Sequence, residues 1–127
     1  MLYPLTPDSA SSSNRVELEF RSPSLALVSL VGEHDLAGLE PLQEALAAAT
    51  RRHRHVLVDL SDCVFLDSSV ISVLLHAQDH LGSDSTFALI VPITSTLTAR
   101  VLRVMRLDQT VRICASLEEA LADVESD

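Results

Sequence analysis

Two hydrophobic periods alternate along this chain, and the switches between them outline its elements. Val16-Glu17-Leu18-Glu19-Phe20 repeats every second residue, the pattern of a half-buried β-strand. Ser22-Pro23-Ser24 supplies a turn, and 25–31 reads as a second strand, antiparallel to the first as a hairpin. Gly32-Glu33-His34-Asp35 closes that strand as a turn. The spacing of Leu39, Leu42, Leu46 and Ala49 predicts a helix over 36–52. The β-branched run at 55–60 is the next strand, and a short apolar loop follows it. Asp67-Ser68-Ser69 then opens an amphipathic helix over 68–81, with Ile71, Leu74, Leu75 and Gln78 along one stripe and Gly82 ending it.

Apolar residues on both faces mark 86–91 as the most buried strand, and Pro92 stops it. A helix over 94–106 places Leu97, Val101 and Val104 or Met105 inward. A short strand at 111–114 precedes a last helix, which Ser116 caps and Glu119 completes as a capping box. Strands alternating with helices predict an α/β domain with a mainly parallel sheet and right-handed crossovers. No internal repeat is visible. Pro4, Pro7 and the serine run at 9–13 make 1–14 a disordered tail ahead of a single domain over 15–127.

Composition narrows the function classes. The 127 residues contain three Phe, one Tyr and no Trp, so the core is aliphatic. A net charge of -9 argues against nucleic acid and against anionic lipid as partners. No apolar run approaches the roughly 20 residues of a membrane helix. The N-terminus lacks the basic and apolar regions of a signal peptide, and the expectation is a cytoplasmic protein. Cys63 and Cys114 have no zinc or C-x-x-C spacing and read as buried small hydrophobes, with a redox switch as the alternative. No glycine-rich phosphate loop, Ser-His-Asp order or paired-carboxylate cleft stands out, so no cofactor is expected.

The distinctive chemistry lies at Asp67-Ser68-Ser69. A serine at the start of a helix sits beside the positive end of the helix dipole, and a phosphate added there would lie among backbone N–H groups. The local alternative is a plain N-cap. Phe65-Leu66-Asp67-Ser68-Ser69 resembles the motif of the STAS domain family, as found in bacterial anti-sigma factor antagonists. Gly32-Glu33-His34-Asp35, the approach Leu107-Asp108-Gln109-Thr110-Val111-Arg112-Ile113 and the closing Ser116-Leu117-Glu118-Glu119-Ala120-Leu121 are similar to other family segments in the same order. Val70 stands where the family has glycine, which puts bulk beside the expected docking surface.

The resemblance implies a STAS-like α/β fold. Its mixed, mainly parallel sheet would have four to five strands, with about four helices largely on one side. It further implies that the unphosphorylated chain binds an anti-sigma factor with serine-kinase activity. Phosphorylation of Ser68, with Ser69 as secondary acceptor, would end the contact, and a serine phosphatase would restore it. Glu33, His34, Asp35, Asp67, Ser68, Ser69, Val70 and Ser72 would form the partner surface. On that reading the chain is a kinase substrate and not itself an enzyme.

Two rival readings remain open at this point. Other STAS domains act as scaffolds or transport accessories with no phosphoserine switch. His76 and His80, four apart on one helix, have metal-ligand spacing and suggest a small metal-dependent enzyme, but no third ligand is evident. Arg51-Arg52-His53-Arg54-His55 reads as a cluster offsetting a helix C-terminus, or as a docking patch. Arg100, Arg103 and Arg106 repeat along one helix face, either solvated or paired with an acidic partner.

Overall fold

The computed structural model describes residues 14–125; the tail expected at 1–14 lies outside these but for Asn14. The chain begins with the hairpin of β1 (Arg15–Ser22) and β2 (Leu25–His34). A 3-10 turn at Leu36–Gly38 leads into α1 (Leu39–Arg52), followed by β3 (His55–Asp59), β4 (Cys63–Leu66) and α2 (Ser68–Asp79). Then come β5 (Thr86–Ile90), α3 (Thr96–Val104), a 3-10 turn at Leu107–Gln109, β6 (Arg112–Cys114) and α4 (Leu117–Glu125).

The sheet runs in the order β1-β2-β3-β5-β6. The β1–β2 pair is antiparallel and every later pair is parallel, as strand–helix alternation requires. β4 is the sixth strand, where the sequence pattern suggests a loop. It pairs with the far end of β2, through Gly32 with Cys63, Glu33 with Phe65 and His34 with Leu66. β3 and β4 are thus two halves of one broken strand laid along β2. Within the β2–β4 pairing the register shifts between Gly32 and Glu33, and the φ of 90° at Gly32 is open to glycine and strained for other residues. The Gly32 N–H donates to the Asp62 carbonyl at 2.9 Å, which closes the break. The expected turn at 32–35 is therefore mostly strand.

Side-chain alternation sorts the core into two layers. Ala26, Val28, Leu30, Val56, Val58 and Leu89 face α1, α2 and α3, together with Leu42, Leu46, Ile71, Leu74 and Leu102. Leu25, Leu27, Leu57, Ala88 and Ile90 face α4 through Ala120. Three helices on one side and one on the other match the expected arrangement. β5 is buried along nearly its whole length, in line with its apolar pattern. Glu119 donates its N–H to Ser116 Oγ at 3.1 Å, and its carboxylate reaches back to the Ala115 N–H at 3.3 Å, one residue earlier than in the usual box.

Two expectations shift. β1 is an edge strand whose Leu18 and Phe20 stay exposed, because only Val16 reaches the core. Phe20 instead stacks on the His53 ring, with centroids 4.7 Å apart. In α3 the buried residues are Thr98 and Leu102, and Val101 packs partly buried against the core as expected, while Leu97, Val104 and Met105, just past the helix, are exposed. The Thr98 hydroxyl donates to the Cys63 carbonyl at 3.0 Å, and this bond together with the burial of Leu102 fixes the inward face of the helix. α3 covers the free edge of β4, where a narrow inward stripe suffices.

Gly32→Ala is expected to lower stability by about 1–3 kcal/mol, from backbone strain at positive φ. Urea unfolding of the two proteins checks it, with little loss expected from Gly82→Ala, where an added Cβ meets nothing within 4 Å.

Candidate functional site

β4 ends at Leu66, and Asp67 turns the chain into α2 with an extended backbone (φ -112°, ψ -178°). Its carboxylate is the junction of the region. Oδ1 accepts from the N–H of Ser69 at 3.0 Å and of Val70 at 3.2 Å, and from the Ser69 hydroxyl at 2.5 Å. Oδ2 accepts from the N–H of Leu36 at 3.2 Å, 31 residues away in the turn before α1. One side chain thus caps α2 and ties it to the β2–α1 connection. The Ser69 hydroxyl first, then the N–H groups of Val70, Leu36 and Ser69, hold the Asp67 carboxyl below its ordinary 3.8, against the raising effect of partial burial.

The two serines after Asp67 have different surroundings. Ser68 is exposed at the first helical position, and its hydroxyl makes no hydrogen bond among the described residues. Ser69 is half-buried with its hydroxyl bound to Asp67. The N–H groups of Ser69 and Val70, which a phosphate was expected to find open, are already taken by Asp67. A phosphate on Ser68 would therefore keep its charge on the outer surface, beside an ionised carboxylate.

Glu33 and Asp35 are exposed near this site, and Asp35 Oδ1 accepts from the Ala37 N–H at 3.1 Å. Ser72 is exposed one turn after Ser68, on the wall of a cavity of about 630 Å³ between α1 and α2. Two expected surface residues point inward. His34 is 2% exposed, with Nε2 3.0 Å from the Val31 carbonyl, because the strand continues through it. Val70 is fully buried in the helical layer of the core, so its bulk fills the interior and adds nothing to the docking surface. Sequence reasoning missed Leu36 and Val64 and left Phe65 as motif only. All three are exposed apolar residues around Asp67 and Ser68. Their signal was apolar residues at a turn and on a short strand outside any helical stripe.

The other candidates separate from this site. His76 and His80 touch edge to face, with centroids 4.8 Å apart, and His80 Nδ1 lies 3.0 Å from the His76 carbonyl. Among the described residues no group of three His, Cys, Asp or Glu is placed to share a metal ion. Cys63 belongs to the core layer under α1–α3 and Cys114 to the layer under α4, so the sheet lies between the thiols. Burial pushes both thiols up to about 11. They are protonated at neutral pH, which works against thiolate chemistry.

This chain belongs to the STAS domain family: the family model described as "Mlab, STAS domain" matches residues 19–119. Among characterised relatives it is similar to the anti-sigma-F factor antagonist RsfB of Mycobacterium tuberculosis. The identity is 31% over 101 residues, covering 79% of this chain and 81% of that one. The crystal structure of an anti-sigma factor antagonist from Mycobacterium paratuberculosis superposes with a TM-score of 0.81 at 26% identity, over 92% of this chain and 98% of that one. The Bacillus cell fate determinant SpoIIAA shares the fold at 20% identity. Its unphosphorylated form gives a TM-score of 0.73 over 89% of this chain and 98% of that one. Its phosphorylated form gives 0.63 over 87% and 99%. No helix among the described residues is long and apolar enough to cross a membrane.

Asp67→Ala is expected to cost about 1–2 kcal/mol at neutral pH, as the loss of a helix cap. The carboxyl value is depressed on folding, so this stability is present above the ordinary carboxyl range and fades as pH falls through the folded value. Urea unfolding at neutral pH and at about pH 3 should show the gap between wild type and variant narrowing in acid.

Proposed function

We propose that this chain is an anti-sigma factor antagonist. It docks an anti-sigma factor with serine-kinase activity over Ser68, and phosphorylation of Ser68 ends the contact. A serine phosphatase then resets it. The observation that carries the reading is the division of labour after Asp67: Ser69 has its hydroxyl committed to the cap, while Ser68 displays its own to solvent.

The chemistry of the surface fits such a switch. Leu36, Val64 and Phe65 offer exposed apolar area, the kind of patch that marks a protein contact. Asp67 already places negative charge at its edge. A phosphoserine there carries about -1.5 to -2 charges. The cap has used the nearest N–H donors, so that charge meets the partner with little internal neutralisation. A like-charge and desolvation cost of roughly 3–4 kcal/mol weakens binding by two to three decades. No conformational change is needed. The names of the relatives, antagonists of anti-sigma factors, support the same assignment.

Ser68→Asp and Ser68→Glu are expected to weaken binding to the purified anti-sigma factor roughly 100- to 1,000-fold, while Ser68→Ala binds like the wild type. Calorimetric titration against the anti-sigma factors of the source genome measures this. Equal affinity for all four proteins removes Ser68 from the mechanism. Kinase incubation followed by mass spectrometry should find phosphate on Ser68 and none on Ser69; an unmodified Ser68 favours the scaffold reading.

A further inference from the structure

We propose that the outward face of α3 is a second docking surface, for an acidic and apolar patch on the same anti-sigma factor that covers Ser68. The proposal rests on the functional reading above and adds the chemistry of the partner to it.

Three observations converge on this face. The first is apolar exposure. Leu97 is 50% exposed, Val104 75% and Met105 45%, and Ile93, just ahead of the helix, is 86% exposed. Helical periodicity assigns Leu97 and either Val104 or Met105 to the interior, whereas Thr98 and Leu102 occupy it and leave these residues outside. The second is charge. Arg100 and Arg103 on α3, and Arg106 two residues past its end, are exposed, and none has a carboxylate within ion-pair distance among the described residues. By contrast Arg15, Arg21 and Arg112 are each paired with an acid. In a chain of net charge -9, three cations interleaved with exposed aliphatic side chains form a patch of opposite sign to the whole. Its complement is acidic and apolar.

The third is position. Thr98 seats α3 on β4, the strand that carries the exposed Val64 and Phe65 and ends at Leu66, immediately before Asp67 and Ser68. Helix α3 and Ser68 therefore flank the same short strand, within the span of one partner interface. An acidic partner also gives the switch its direction. Carboxylates that pair with the arginines when Ser68 is free repel the phosphate when it is added. A lipid surface suits the patch less well. Each cation contributes only about 1 kcal/mol at an anionic bilayer, and the remaining surface is repelled.

The test uses the full chain and the anti-sigma factor that binds it, with affinity measured across salt concentrations. Arg100→Glu combined with Arg103→Glu is expected to weaken binding about tenfold or more and to flatten its salt dependence. Val104→Ser, which removes apolar area without changing charge, is expected to weaken it about threefold. Circular dichroism confirms the fold, and Arg103→Gln replaces the double variant if that fails to fold. Unchanged affinity and salt dependence in the arginine variants, with Ser68→Asp still weakening binding, overturns the α3 surface and leaves the switch standing. Loss on the α3 substitutions with Ser68→Asp unaffected supports the surface and sinks the switch. Failure of the wild type to bind any anti-sigma factor overturns both. Binding to phosphatidylglycerol vesicles that the arginine substitutions abolish, with partner affinity unchanged, overturns the protein contact in favour of lipid.

Discussion

The Asp67 carboxylate holds the proposed docking end of this molecule together. It accepts from four donors, three on the first turn of α2 and one on the turn before α1. Two segments far apart in sequence are fixed to each other by one anion. The same bonds leave Ser68 as the residue they do not use. A cap that consumed both hydroxyls would leave nothing to modify. A weaker cap would let the helix end fray and blur the presentation of the serine.

The surroundings of that carboxylate divide the protein into a rigid part and a proposed docking part. The central strands β3 and β5 are packed between two apolar layers, which fix the register of the sheet. The proposed docking part is small: β4, the turn at Leu36–Gly38, the start of α2 and the outer side of α3. Here apolar residues face solvent, and Arg100 and Arg103 have no carboxylate within ion-pair distance among the described residues. A contact surface needs both, and a core permits neither. The buried thiols and the histidine pair on α2 lie outside this arrangement.

Much of this was legible in the chain because the determining signals are local. Asp-Ser-Ser before an apolar stripe marks a helix start, and the structure places a helix there. Ser116 and Glu119 announce the last helix in the same way, and the apolar run at 86–91 announces a strand buried on both faces. What escaped reading depends on partners distant in sequence. Four residues, Cys63–Leu66, are too few for a period to show, and they become a strand only because β2 continues past Gly32. That continuation also buries His34. The inward face of α3 carries Leu102 and a Thr98 hydroxyl that bonds a carbonyl 35 residues away, a polar contact that no apolar periodicity encodes. Val70 departs from the motif, yet its side chain goes into the core, where a β-branched aliphatic residue is ordinary.

The break between β3 and β4 has an evolutionary consequence. The five-strand lattice fixes its alignment through β3, and β4 hangs from the tip of β2 by a few backbone bonds. Replacing the exposed Val64 or Phe65 would change the proposed recognition surface without disturbing that lattice. Duplicated copies of such a gene are free to diverge in partner choice while inheriting one scaffold. The interruption thus separates what must be kept from what is open to change.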